Sequence, residues 1–160
     1  MPATVRCATE LDLDELARLL ELLFALEPDF RADRARQRRG LALLLADPSR
    51  SRVLVAERRG SVVGMVTGQL VISTAEGGFS VALEDLVVAE SERGRGVGRL
   101  LLRALEAWAL ARGATRLQLL ADRDNHPALR FYERAGWRAT RLLCLRRGGV
   151  PAGAAPAPAR

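Results

Sequence analysis

Glycine and arginine alternate through one short stretch of the chain, Val87–Leu102, which reads VVAESERGRGVGRLLL. A strand-like run enters it, Gly94, Gly96 and Gly98 fill a turn around Val97, and an apolar helical run follows at once. Glycine permits positive φ and lets the backbone approach a ligand closely. A helix start leaves unpaired N–H groups and the positive end of its dipole facing the same way. Together these form a cradle for phosphate, and Arg93, Arg95, Arg99 and Arg103 add positive charge around it. The same glycines would also serve a turn without a ligand, where they only permit tight packing. Two other phosphate loops fail on the residues. A Walker A loop needs a lysine, and the chain has none; a dinucleotide fingerprint needs glycine where Arg99 stands.

Two carboxylates precede the turn in Leu83-Glu84-Asp85-Leu86. On a regular strand they face opposite sides of the sheet, so only one reaches a given cleft unless a bulge intervenes. Downstream, Asn125-His126-Pro127 opens a short helix, with a polar cap and proline in the first turn. Gly136 stops that helix where a left-handed residue is wanted. His126, the only histidine, reads as a solvent-facing turn residue. Cys7 and Cys144 lack metal-ligand spacing and read as buried small hydrophobes on the first and last strands. Trp108 and Trp137 read as core. No metal site and no nucleophile–base triad can be argued.

The elements that must position these residues follow from periodicity. Ala3–Ala8 reads as a strand, and Leu13, Leu16, Leu19, Leu20 and Leu23 have the spacing of a helix that ends at Pro28. A second helix is expected from about Arg31 to Ala46. Its five arginines, Arg31, Arg34, Arg36, Arg38 and Arg39, form either a solvated face or a patch for an acidic ligand or nucleic acid. Val53–Ala56 and Val62–Val71 flank Arg59-Gly60 as a hairpin, and Phe79–Val88 follows the turn at Ala75–Gly78. Leu100–Leu110, apolar almost all round, predicts a helix buried on most sides. Leu117–Leu120 and Arg138–Leu145 read as the last two strands. This order predicts an α/β (α+β) fold: a mixed, mostly antiparallel sheet of six to seven strands flanked by about four helices. Residues 1–147 are expected to form one domain, and the Gly/Ala/Pro-rich stretch 148–160 a disordered tail.

Composition agrees with one ordinary globular domain. The chain has 160 residues, 49% apolar and 4% aromatic, and the low aromatic share leans away from an all-β sandwich. Its longest apolar runs are far too short to span a bilayer, and no leader pattern opens it, so the expectation is a cytoplasmic protein. All 25 basic residues are arginine, against 19 acidic ones, for a net charge of +6. Arginine forks favour phosphate and carboxylate ligands. A nucleic-acid partner is disfavoured, because the basic cluster lacks interleaved aromatics and covers only half a helix.

Arg93-x-x-Gly96-x-Gly98 matches the [QR]xxGx[GA] signature of the Gcn5-related N-acetyltransferase (GNAT) family. Further on, Asn125-x-x-Ala128-x-x-Phe131-Tyr132-Glu133-x-x-Gly136-Trp137 resembles that family's second motif, with tryptophan where phenylalanine is usual. The resemblance extends over about residues 3 to 146. It implies the GNAT fold and acyl transfer from acetyl-CoA to an amine. It also implies that the N–H groups of Arg93, Gly94, Arg95, Gly96, Val97, Gly98 and Arg99 hold the pyrophosphate. The backbone of Leu86, Val87 and Val88 would pair with the pantetheine arm and help to stabilise a developing oxyanion. Asn125, Ala128 and Phe131 fall in the cofactor-binding second motif, although Asn125 is equally well explained as a pure cap.

By the same analogy Tyr132 lies near the thioester sulfur and protonates the departing thiolate, a role suited to a phenol with a pKa near ~10. An amine acceptor is largely protonated at neutral pH and needs a proton acceptor. Glu84 is narrowly preferred over Asp85, with water as the third choice. The next strand, where some relatives carry their base, has no carboxylate in Leu117–Ala121. Family specificity regions fall at about Phe24–Arg39 and Ser73–Ser80. The arginines of the first hint at an acidic group on the acceptor, whose identity the sequence does not disclose. Dimers are common in the family, which leaves a homodimer open. An acyl-CoA-binding sensor without turnover is the second reading.

Overall fold

A computed structural model of the chain describes residues 2–26, 29 and 31–148. Its elements are β1 (Thr4–Cys7), α1 (Leu13–Phe24), α2 (Arg34–Ala46), β2 (Ser51–Arg58), β3 (Ser61–Ser73), β4 (Gly78–Val88), α3 (Val97–Ala111), β5 (Ala114–Leu119) and α4 (His126–Arg134). The strands lie in the order β1-β2-β3-β4-β5. The first four pair antiparallel, whereas β5 pairs parallel to β4 after the α3 crossover. A sheet of mixed direction is what hairpins followed by a βαβ unit require.

Local chemistry explains the boundaries. Arg59 (φ +53°) and Gly60 (φ +78°) are both left-handed, the backbone shape that lets a two-residue turn match the strand twist. Helix α2 starts at Arg34 rather than about Arg31, because the Asp33 carboxylate accepts from the Arg36 N–H at 3.1 Å. Helix α1 ends at Phe24, with Ala25 as its cap; Pro28 falls outside the described residues.

Alternation along the strands divides the apolar residues between two cores. On one face Leu101, Leu102, Leu105 and Trp108 of α3 pack against Leu54, Ala56, Val66, Leu70, Val81 and Leu83. On the other, Leu16, Leu19, Leu20 and Leu41 of α1 and α2 cover Val53, Val55, Met65 and Val87. Gly68 lets α3 lie close to the sheet: a Cβ there would stand 2.7 Å from Leu105 Cδ1.

Four expectations change. The sheet has five strands among the described residues, because Arg138–Leu145 pairs with nothing and leaves Leu142, Leu143 and Leu145 exposed. The pattern of that segment is strand-like, but among the described residues no ladder accepts its backbone. Helix α3 is amphipathic, with Leu100 and Leu110 on an exposed side. Cys7 and Cys144 are both exposed, since β1 is an edge strand and, among the described residues, the segment of Cys144 joins no sheet. Trp108 is buried as expected, but Trp137 is only half-buried at the rim of the α3 core. The expected tail lies, from residue 149 onward, outside the described residues.

Arg6 fastens the start of the chain through two carboxylates, Asp12 and Glu57. Arg6 reaches both oxygens of the buried Asp12 at 2.8 Å, and the Thr9 N–H donates to the same carboxylate. The Arg6 guanidinium, joined by the Thr9 hydrogen bonds, holds the Asp12 carboxyl down at about 2. A carboxylate depressed in the folded state stabilises above its unfolded value near ~4 and loses that contribution as pH falls through the folded value. Unfolding free energy is therefore expected to drop between about pH 4 and pH 2. An Asp12→Ala variant should be less stable by about 2 kcal/mol at pH 7 and should lose less than the parent over that interval. Chemical denaturation at several pH values measures both.

Candidate functional site

At the end of β4 the chain turns through Glu90–Glu92 into the glycine-rich stretch and starts α3 at Val97. Gly94 has φ +73° and Gly96, the residue before the helix, φ +81°, conformations that side chains disfavour. The Leu100 N–H bonds to the Gly96 carbonyl at 3.0 Å, so the backbone donors ahead of it face out of the helix end. A Cβ on Gly94 or Gly96 would meet nothing within 4 Å, so the cradle opens onto space. Arg95 and Arg99 are exposed beside it, and Val97 is buried as the helix's first anchor. Arg93 turns back, its Nε donating to the Val88 carbonyl at 3.1 Å and tying the turn to the strand. Behind the turn Arg58 meets Glu92 at 2.9 Å, a half-sheltered pair that links it to the β2–β3 hairpin.

Beside this cradle the sheet parts. The β4–β5 pairing runs from Phe79 opposite Ala114 to Leu83 opposite Leu119 and stops there. Leu86, Val87 and Val88 remain paired on their other side, to Val66, Met65 and Gly64 of β3. Among the described residues, the side of β4 that faced β5 therefore lacks a strand partner over Glu84–Val88. An open backbone edge leads straight to the phosphate-type cradle.

A bulge marks where the parting begins. Gly68 faces Leu83 and Val66 faces Leu86, so the single residue Thr67 stands opposite both Glu84 and Asp85. The core assignments record the flip: Val81 and Leu83 belong to the α3 side, yet so do Leu86 and Val88, while Val87 faces α1 and α2. Glu84 and Asp85 consequently share the α1/α2 side of the sheet, instead of taking opposite faces as a regular strand would require. Glu84 is exposed and Asp85 half-buried. The Thr67 hydroxyl donates to Asp85 Oδ2 at 2.9 Å and accepts from the Asp85 N–H at 3.0 Å.

Helix α4 brings the second motif to the cradle. Asn125 caps it, its Oδ1 accepting from the Ala128 N–H at 3.1 Å, and Gly136 ends it at φ +90°. Phe131 docks on the start of α3: a Cβ on Gly98 would stand 3.4 Å from Phe131 Cζ. That contact explains the third glycine as a packing requirement. Tyr132 is half-buried, its ring 5.2 Å from Phe131 and 5.7 Å from Trp137 between centroids. His126 is exposed.

Three arginines of α2 are engaged in ion pairs. Arg34 and Arg38 both pair with Asp14, Arg34 also reaches Glu21, and Arg36 pairs with Asp33. Arg34 and Arg38 thereby fasten α2 to α1, which weakens the hint of an acidic acceptor. Sequence reading missed Thr67 and the Arg58–Glu92 pair. Thr67 carried a signal, as a lone hydroxyl inside the apolar run Val62–Val71, whereas nothing local marked the pair.

Solved structures share this fold. A possible acetyltransferase from Clostridium difficile 630 superposes with a TM-score of 0.82 at 17% identity, over 94% of this chain and 100% of that one. The ribosomal-protein-alanine N-acetyltransferase from Brucella melitensis biovar Abortus 2308 gives 0.76 at 22% identity, over 92% and 99%. A transcriptional regulator from Bacillus halodurans C-125 gives 0.78 at 23%, over 91% and 99%. At these identities the likeness speaks for the fold. The model of the acetyltransferase (GNAT) family matches residues 15–137, which contain the glycine turn, the parted strands and α4. With both motifs meeting at the start of α3 and that match spanning most of its length, the chain belongs to the GNAT family of acetyltransferases.

Proposed function

We propose that this chain is an N-acetyltransferase that moves an acetyl group from acetyl-CoA to a primary amine of a small molecule or peptide, by direct attack. The observation that carries this reading is the open β4 edge at Glu84–Val88 running into the glycine cradle at the start of α3. An extended arm ending in a pyrophosphate has the shape and charge for that combination: peptide-like groups for the edge and phosphates for the helix start. Residues 1–147 act as one domain in this reading.

Acetyl-CoA supplies the acyl group activated as a thioester. The chain's residues then have distinct tasks. Backbone N–H groups of Gly94–Arg99 hold the phosphates, the Arg93 N–H being bonded to the Glu90 carbonyl at 3.2 Å. Those of Leu86 and Val88, which point away from β3 while the Val87 N–H faces it, hold the arm and offer donors to the developing oxyanion. Glu84, exposed on the α1/α2 side, accepts the acceptor's proton directly or through water, with Asp85 beside it on the same face. As the N–C bond forms and the C–S bond breaks, Tyr132 gives its phenolic proton to the leaving sulfur. Phe131 seats α4, and with it Tyr132, against the start of α3, while Asn125 caps the helix through the Ala128 N–H.

Calorimetric titration with acetyl-CoA, CoA and ATP tests the binding half of this reading, and CoA release with a panel of amines tests the rest. Saturable acetyl-CoA binding, much tighter than ATP, and release with at least one amine are expected. Absence of binding by a folded sample would remove the reading. Binding with no release from any amine would favour a sensor instead.

A further inference from the structure

The proposed mechanism makes no use of Thr67, although it is fully buried and carries a hydroxyl in the middle of an apolar strand. Its place in the ladder is unusual. It faces two residues of β4 where every neighbour faces one. A bulge leaves a backbone group that the regular ladder cannot pair, and an unpaired buried N–H is costly. Here the hydroxyl of Thr67 takes that role, accepting from the Asp85 N–H at 3.0 Å. Its one proton goes to Asp85 Oδ2 at 2.9 Å, so the same side chain holds the backbone and the carboxylate of one residue.

We infer that Thr67 is a positioning residue for acyl transfer: its hydroxyl sets the β4 bulge, and through it the placement of Asp85 and Glu84 on one face. The bulge begins where β4 and β5 part, at the residue after the last pair, Leu83 opposite Leu119. Its geometry therefore also sets how the open edge Leu86–Val88 leaves the sheet. Thr67 itself stays within the sheet and acts through Asp85. The catalytic half of this inference rests on the proposed acetyltransferase reading; the structural half does not.

The test compares Thr67→Val, which keeps shape and removes the hydroxyl, with Thr67→Ser, which keeps the hydroxyl. Backbone amide exchange followed by NMR is the first readout. In Thr67→Val the Asp85 amide should exchange at least about tenfold faster relative to Val81, while Thr67→Ser stays near the parent. The second readout is CoA release with whichever amine of the panel is turned over. Thr67→Val should lower kcat about tenfold or more, with KM for acetyl-CoA changed less than about threefold, and Thr67→Ser should restore kcat. Equal Asp85 exchange in parent and Thr67→Val overturns the inference, as does a kcat loss that serine fails to restore. If Thr67→Val does not fold, Thr67→Ala is measured in the same way. If no amine is turned over by the parent, the acetyltransferase reading fails by itself and the exchange result alone decides the bulge.

Discussion

Gly96→Glu is expected to weaken acetyl-CoA binding at least about 100-fold, equivalent to about 2.7 kcal/mol. Two physical effects add. Gly96 has φ +81°, where any residue with a Cβ costs about 1–2 kcal/mol, so the helix start would shift to relieve the strain. The new side chain would also enter the space in front of the helix, since nothing stands within 4 Å of a Cβ there. Its carboxylate would then meet the phosphates that the N–H groups and Arg95 and Arg99 are set to attract. Gly96→Ala separates the effects: it carries the strain without the charge and should lose only about tenfold. Calorimetry with acetyl-CoA gives both values, and a thermal melt shows whether the fold is kept. Unchanged affinity in Gly96→Glu would remove the turn from cofactor binding.

Tyr132→Phe is expected to act on turnover alone. The substitution keeps the ring that meets Phe131 and Trp137, so the packing of α4 should persist. What disappears is one hydroxyl. General acid catalysis contributes about 10²–10⁴-fold, so kcat should fall by at least about 100-fold while the acetyl-CoA Kd changes less than about threefold. Steady-state release of CoA and direct titration measure the two quantities separately. Full activity would take Tyr132 out of the mechanism and leave proton return to water. A parallel loss of binding would instead make it a packing residue of the second motif.

Both predictions concern residues legible in the sequence, Gly96 through a local signal and Tyr132 through its place in a motif that resembles the GNAT family's second one. The glycine turn announces itself through positive φ and a helix start, which depend on neighbouring residues only. Asn125, Pro127 and Gly136 likewise mark the two ends of α4 by capping chemistry, and the helix lies between them. The hairpin at Arg59-Gly60 and the amphipathic α1 were legible for the same reason. Arg138–Leu145 shows the limit of such signals: a strand-like pattern becomes a strand only where another strand accepts its hydrogen bonds.

Residue types and spacing carried the family resemblance, the order of elements from β1 to α4, and a set of side chains: glycines and arginines in one turn, two carboxylates and one phenol. Tertiary structure decided how they combine. Glu84 and Asp85 share a face only because Thr67, about 18 residues earlier, imposes a bulge across the ladder. Arg34 and Arg38 of α2 are held by carboxylates of α1, Asp14 and Glu21. Phe131 meets Gly98 across a span of chain that includes α3 and β5, and β4 opens only where β5 stops. Each of these depends on strand register and on side chains packed from distant parts of the chain, which residue spacing alone does not encode.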